Sequence, residues 1–85
     1  MQIELTKHFL KIARNLPTNE QVLLSKKIEI FKNNPKNPSL KIHQLTGKLK
    51  NIHSFSLTYS KRVLFTIDKN IYIFMAVGSH DIYKY

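Results

Sequence analysis

The strongest constraint on the fold is an apolar run of seven residues, 71–77, near the end of the chain. Five of the seven are β-branched or aromatic, which is the composition of a β-strand. Because the run does not alternate with polar residues, it predicts a central strand covered on both faces. Gly78 ends the run. Four polar or ionisable side chains follow it, namely Ser79, His80, Asp81 and Tyr83. We therefore expect a functional site at the end of a rigid strand.

Length and composition limit the class of protein. The chain has 85 residues, and we expect residues 1–85 to form one small domain. It contains no cysteine, so disulfides and thiolate metal sites are excluded. The first residues show no basic region followed by an apolar run, so we expect no secretory leader, and no apolar segment approaches the roughly 20 residues that span a bilayer. We expect a soluble, cytoplasmic protein with no membrane partner.

Charge is the most informative feature of the composition. Fourteen Lys and Arg residues against five Asp and Glu residues give a net charge of +9. Such a field favours polyanions, and nucleic acid is the first candidate. An AT-rich genome, which enriches Lys and Asn, is the alternative explanation, and the excess of lysine over arginine fits it.

A helical hairpin is predicted at residues 5–33. Apolar side chains recur on one helix face at Leu5, Phe9, Ile12, Ala13 and Leu16. Pro17 ends this helix, and Thr18 with Gln21 has the spacing of a capping box for the next one. The second helix has an apolar stripe formed by Leu24, Ile28 and Phe31, with Leu23 and Ile30 beside it. Residues 3–6 fit either a short edge strand or the start of the first helix.

A sheet is predicted within residues 39–83. Residues 53–60 alternate between two faces. One face carries His53, Phe55, Leu57 and Tyr59, and the other carries Ser54, Ser56, Thr58 and Ser60. Strands 62–67 and 71–77 follow after short turns, which predicts an antiparallel meander. The expected fold is α+β, with two layers: the hairpin packs on one face of a three- to four-stranded, mainly antiparallel sheet, and the serine face is open.

The open face is where we expect chemistry. Ser54 and Ser56 line it, and basic side chains border it, namely Lys48, Lys50, Lys61 and Arg62. His43 precedes the meander and His80 follows it, so both can lie at its margins. Two histidines and an arginine suit RNA transesterification, with one imidazole as base, the other as acid, and the guanidinium stabilising the phosphorane. RNA supplies its own nucleophile, so no metal is needed.

Each of these residues also has a structural explanation. A single histidine on a small basic domain is more often a surface residue than a catalyst. By that rule His8 is a helix-surface residue, and His53 packs with the apolar face. Asp81 can pair with a lysine, and Tyr83 can close the core. The histidines do not have the spacing of metal ligands.

The pattern His43-x-Leu45-x-Gly47-x-Leu49-Lys50, followed by Arg62 and by residues 78–81, resembles the RelE/ParE superfamily of type II toxin–antitoxin toxins. Its most similar branch is the YafQ-like messenger-RNA interferases, and the resemblance covers nearly the whole chain. It implies a RelE-like fold and a ribosome-dependent endoribonuclease that cuts mRNA in the ribosomal A site. The implied reaction is a transesterification in which the 2′-OH of the RNA is the nucleophile, and it needs no metal or cofactor. The implied partners are a cognate antitoxin, mRNA and ribosomal RNA.

The resemblance also implies roles for individual residues. His43, His80 and Arg62 match catalytic positions, and Tyr83 matches a C-terminal aromatic. The YafQ pattern has an acidic residue and a further histidine where this chain has Ser54 and Ser56. Two alternatives therefore stand beside the endoribonuclease: a ParE-like inhibitor of DNA gyrase, and a catalytically inactive, basic RNA-binding relative.

Overall fold

The computed structural model describes residues 1–45, 47 and 51–79. Its elements are β1 (Gln2–Leu5), α1 (Lys7–Arg14), α2 (Thr18–Asn33), a 3₁₀ turn (Pro38–Leu40), β2 (His43–Gln44), β3 (His53–Ser56), β4 (Arg62–Asp68) and β5 (Ile71–Gly78). The strand order is β1-β5-β4-β3-β2; β1 runs parallel to β5, and the other pairs are antiparallel. The α+β prediction is confirmed, but the sheet has five strands instead of three or four.

The two additional strands lie at the edges of the sheet. β1 settles the ambiguity at residues 3–6 in favour of an edge strand, and β2 has only two residues. Leu5 was predicted to lie on the first helix; it belongs to β1 and is 40% exposed. α1 starts later because Thr6 caps it, its hydroxyl accepting a hydrogen bond from the Phe9 amide at 3.0 Å. β5 is internal, as predicted, although β4 is the middle strand.

The predicted capping box is wrong. Pro17 occupies the N-cap position of α2, and no side chain caps that helix. Gln21 instead reaches back to the end of α1, where its amide donates to the carbonyls of Arg14 at 3.0 Å and Leu16 at 2.8 Å. It thereby satisfies the carbonyl of Arg14, the last residue of α1, and that of Leu16 in the connection to α2.

Both helices pack on the same face of the sheet, around Phe31. This side chain is fully buried on α2. Its ring centroid lies 5.2 to 5.4 Å from those of four aromatic residues, namely Phe55, Phe65, Tyr72 and Phe74. Phe9 of α1 contacts Phe74 edge-on at 5.7 Å. The apolar stripes predicted for α1 and α2 supply this core, apart from Leu5.

A β-bulge interrupts the alternation of side chains within residues 71–77. Leu64 pairs with Ala76, but Phe65 pairs with Phe74, so Met75 is an extra residue in β5. The extra residue shifts the side-chain alternation by one position. As a result, Phe74 and Val77 both face the helices although they are three residues apart.

β3 is shorter than the predicted alternation. It ends at Ser56, and residues 57–61 form the loop that leads to β4. The loop closes when the amides of Leu57 and Thr58 donate to the Lys61 carbonyl at 2.9 and 3.1 Å. Tyr59, predicted to face inward with Phe55, is therefore at the loop and wholly exposed.

Candidate functional site

The sheet face opposite the helices carries one row of paired residues from four strands. His43 pairs with Ser54, Ser54 with Leu64, and Leu64 with Ala76. Directly paired residues point to the same face, so His43 lies on the side away from the helices. His43 is exposed, whereas the other three are each 1% exposed. The expectation of an open serine face is therefore wrong for this row.

Arg62 crosses this face from β4 towards β2. Its Nε donates to the hydroxyl of Ser54 at 2.9 Å, and its Nη2 donates to the Lys41 carbonyl at 2.6 Å. Lys41 precedes His43 by two residues. The guanidinium thus lies across β3, beside the segment that leads to His43. Two of the three residues predicted as catalytic are brought to one region of the sheet.

The two serines have internal hydrogen bonds. Ser54 accepts from Arg62, and Ser56 donates from its hydroxyl to the Thr58 carbonyl at 3.0 Å. Because Ser54 is only 1% exposed, its hydroxyl is not accessible to RNA in this structure. Its evident effect is on the orientation of Arg62, while Ser56 supports the loop after β3.

Lys61 lies in a different environment from the one expected. Its Nζ is 2.5 Å from a carboxylate oxygen of Glu20, near the start of α2, and both side chains are partly buried. This ion pair joins the loop after β3 to the helical layer. The structure therefore does not bring the Lys61 ammonium group to the Arg62 guanidinium.

Four predicted site residues lie outside the described residues: His80, Tyr83, Lys48 and Lys50. The strand that leads to His80 is described up to its end, where Gly78 pairs with Arg62. Gly47, from the motif between β2 and β3, has φ of +67°, a left-handed conformation that favours glycine. Backbone geometry thus accounts for this glycine without reference to chemistry.

The remaining histidines lie elsewhere. His53 faces the helical layer and stacks on Phe65, with ring centroids 5.4 Å apart, as its sequence parity predicted. His8 is exposed on α1, also as predicted. Within residues 1–45, 47 and 51–79, no three His, Asp or Glu side chains cluster in a way that could hold a metal ion. In the same part of the chain, no helix has both the length and the apolar character needed to cross a membrane.

Two positions near Arg62 were not assigned to the site from the sequence. The Lys41 carbonyl is a backbone group, so no side-chain pattern signals its role. Tyr59 was assigned to the buried face because it continues the alternation of β3. The polar residues Thr58 and Ser60 on either side of Tyr59 continue the alternation of Ser54 and Ser56, so the pattern carried no signal against that assignment.

Comparison with known proteins places this geometry in a structural context. RelE in the RelB–RelE antitoxin–toxin complex of Methanococcus jannaschii aligns with a TM-score of 0.77 and 21% identity, over 96% of each chain. The chain has the fold of the RelE-type toxins. YafQ from E. coli strain BL21(DE3) aligns with a TM-score of 0.74 and 18% identity, also over 96% of each chain. The YoeB/ParE toxin of Agrobacterium tumefaciens aligns at 0.77 and 14%, over 94% of this chain and 99% of that one.

Likeness to the RelE-type fold is structural and not evident from sequence searches. No protein-family model matches the chain. No curated protein matches it either. The RelE-type fold nevertheless agrees with the family resemblance carried by His43, Gly47 and Arg62. The structure also puts His43 and Arg62 on the same face of the sheet.

Proposed function

We propose that this chain is the toxin of a type II toxin–antitoxin system and acts as a ribosome-dependent endoribonuclease. The observation that carries the proposal is the fixed position of Arg62. Its guanidinium is bonded to Ser54 and to the Lys41 carbonyl, on the face that carries His43, in a RelE-type fold. A charged, preoriented donor of this kind suits a reaction that builds negative charge on a phosphate.

In the proposed reaction, the 2′-OH of the substrate attacks the adjacent phosphate, and the 5′-oxygen of the next nucleotide leaves. One of His43 and His80 takes the 2′-OH proton, and the other gives a proton to the leaving oxygen. Arg62 stabilises the phosphorane. Its Nε and Nη2 bond to Ser54 and to the Lys41 carbonyl, and a guanidinium has five N–H donors, so the group can hold its position and also donate to a phosphate.

RNA contacts are proposed for three of the other predicted residues. Lys48 and Lys50 would hold flanking phosphates, and Tyr83 would support the substrate. Lys61, Ser54 and Ser56 act through the fold in this proposal: Lys61 and Ser56 hold the loop after β3, and Ser54 orients Arg62. The net charge of +9 supports the attraction of a polyanion. We also propose that residues 1–85 act as one toxin domain in the cytoplasm, which cuts mRNA in the ribosomal A site and contacts ribosomal RNA there.

A cognate antitoxin is the proposed protein partner. The M. jannaschii RelE structure is of a complex with the antitoxin RelB, and its fold covers 96% of this chain. An antitoxin that binds a basic toxin would need acidic surface to match the charge of +9. Co-expression with a neighbouring small reading frame should restore growth if that frame encodes the antitoxin.

The deciding experiment is induction of the chain in growing cells, followed by mapping of new 5′ ends on messenger RNA. We expect growth arrest and new ends within translated regions only. The His43→Ala and His80→Ala variants should lose both effects while keeping their fold. His8→Ala is the matched control, because His8 is exposed on α1, in the layer away from the proposed site, and should leave cleavage unchanged.

Two other outcomes would replace the proposal. Growth arrest without new 5′ ends, and unaffected by His43→Ala or His80→Ala, would favour gyrase inhibition; the fold shared with the A. tumefaciens YoeB/ParE toxin gives that alternative its basis. Salt-sensitive RNA binding without any cleavage would identify a catalytically inactive relative.

The pH dependence of the cleavage rate tests the histidine pair. A cleavage rate that is maximal at intermediate pH would support it, since one histidine must be neutral and the other protonated.

A further inference from the structure

The loop between β3 and β4 displays one aromatic ring to solvent. Tyr59 has a relative exposure of 106%, which is at least that of the residue in an extended chain. The next most exposed large apolar side chain in the described residues is Val22, at 52%. The Tyr59 ring therefore contributes no buried area to folding, and its exposure is not explained by the core.

This loop is closed by hydrogen bonds on both sides of Tyr59. The amides of Leu57 and Thr58 donate to the Lys61 carbonyl, and the Lys61 amide donates to the Thr58 hydroxyl at 3.0 Å. The ion pair between Lys61 and Glu20 attaches the loop to α2. The ring is thus presented by a held loop, which lowers the conformational entropy lost when a ligand binds it.

The position of the loop connects Tyr59 to the proposed site. The loop ends where β4 begins, so Tyr59 precedes Arg62 by three residues. Arg62 in turn pairs with Ser56 and Gly78, at the end of the sheet where the loop emerges. The Arg62 guanidinium bonds to Ser54 of β3, and the loop begins three residues further along the chain, at Leu57. An RNA strand that is bound at Arg62 and runs along β3 towards the loop would approach Tyr59.

We propose that Tyr59 is a stacking platform for a base of single-stranded RNA, next to the phosphate bound by Arg62. The inference rests on the proposed function, since it places the base beside the phosphate of that reaction. Stacking on an aromatic ring requires only the ring face and tolerates any base. A protein-binding hot spot is instead surrounded by residues that exclude water, and Tyr59 has the polar neighbours Thr58 and Ser60.

A direct test uses the absence of tryptophan from the chain. The Tyr59→Trp variant carries a single indole, whose fluorescence reports contact with a base. The probe is a short, single-stranded 2′-O-methyl RNA, which cannot be cut from the 2′-OH. We expect saturable quenching by this RNA. Heparin, a polyanion without bases, should compete for the basic surface without quenching.

Affinity gives the second readout, measured by anisotropy of the same RNA carrying a dye. Tyr59→Phe should bind like the parent chain, and Tyr59→Leu should bind about 5-fold or more weakly, because leucine keeps apolar area but has no aromatic face. The salt dependence should be equal in all three, since no charge changes. The midpoint of urea unfolding should also be equal, because the ring is not buried.

Several results would overturn the stacking role. These are RNA binding without quenching, equal quenching by heparin, equal affinity of the Tyr59→Leu variant, or no binding of the RNA at all. The fate of the proposed function is read separately. If the chain cuts mRNA in cells but Tyr59→Leu changes neither affinity nor cleavage, only the stacking role fails; if the RNA quenches the indole but no mRNA is cut, only the nuclease fails.

Discussion

Arg62 donates a hydrogen bond from Nε to the hydroxyl oxygen of Ser54 at 2.9 Å, and that serine is 1% exposed. A small buried hydroxyl therefore sets the direction of a long, charged side chain. Since the second anchor is the Lys41 carbonyl, the guanidinium is held at both Nε and Nη2. The pair connects the interior of the sheet with the group proposed to stabilise the phosphorane.

Replacing Ser54 with alanine should weaken that connection. The Ser54→Ala variant leaves Arg62 Nε without its acceptor in a partly buried position, which should lower the free energy of unfolding by about 1–3 kcal/mol. Cleavage of mRNA in cells should fall as well, because the guanidinium loses one of its two anchors. Urea unfolding and 5′-end mapping measure the two effects.

Ser56→Ala is the matched control for Ser54→Ala. It removes a hydroxyl from the same strand and the same face, but one that bonds to the Thr58 carbonyl and not to Arg62. We expect Ser56→Ala to lower the free energy of unfolding and to change the cleavage of mRNA little. Equal losses of cleavage in the two variants would contradict the positioning role of Ser54.

The ion pair between Glu20 and Lys61 should stabilise the loop after β3. Both side chains are partly buried, at 18% and 26% exposure, so solvent screens the pair less than an exposed one. A double-mutant cycle of Glu20→Gln and Lys61→Met, measured by urea unfolding, should give a coupling energy of about 1 kcal/mol. The pair of Glu29 and Lys32 is exposed, and the same cycle there should give a smaller value. A coupling energy near zero for Glu20 and Lys61 would mean that the pair does not hold the loop.

Periodicity allowed the layers of this fold to be predicted, but not the local bonds that end each element. The stripes through Phe9, Leu24 and Phe31 gave the two helices, since burial of one face is what a helical period encodes. Alternation in β3 was extrapolated too far, to Tyr59, because the hydrogen bonds that close a loop do not change the pattern of polar and apolar residues. The bulge at Met75 was likewise not predictable from an apolar run, because the residues on the two faces of the strand are equally apolar.

For the site residues, the sequence likewise allowed the face of the sheet to be predicted, but not their burial or their bonding partners. His43 and Arg62 were expected to border the same face of the sheet. In the structure His43 pairs with Ser54 and Arg62 pairs with Ser56, which lies on the same face of β3. The burial of Ser54 could not be predicted, because a serine on the strand face that points away from the helices is ordinarily exposed. The ion pair of Lys61 depends on a residue 41 positions earlier in the chain, and no local pattern connects the two.

Gln21 should be worth more to stability than Thr18, which reverses the expectation from a capping box. Gln21 donates to two carbonyls at the end of α1, whereas Thr18 makes no capping bond. Gln21→Ala should therefore lower the free energy of unfolding by about 1 kcal/mol. Thr18→Ala should have an effect within about 0.5 kcal/mol. Thermal unfolding of both variants is the measurement. A larger loss of stability in Thr18→Ala than in Gln21→Ala would contradict this assignment and favour the capping box.

Phe31 should be the most sensitive position in the core. It is fully buried and contacts four aromatic rings from β3, β4 and β5. Phe31→Ala should cost about 3–5 kcal/mol, a large fraction of the roughly 5–15 kcal/mol typical of a domain. Leu10→Ala on α1, which is 39% exposed, is the control and should be nearly neutral. Circular dichroism during urea unfolding would test both, and a stable Phe31→Ala protein would contradict this view of the core.

Arg62→Lys separates charge from geometry at the proposed site. Lysine keeps the positive charge, but a single ammonium group cannot bond to Ser54 and the Lys41 carbonyl while also offering a fixed fork to a phosphate. Affinity for the 2′-O-methyl RNA should stay within about twofold, because the electrostatic attraction is unchanged. Cleavage should fall on the order of 100-fold, as expected for loss of one preoriented donor to a developing charge. Full cleavage by Arg62→Lys would show that Arg62 acts only through its charge, and that its anchoring to Ser54 is structural.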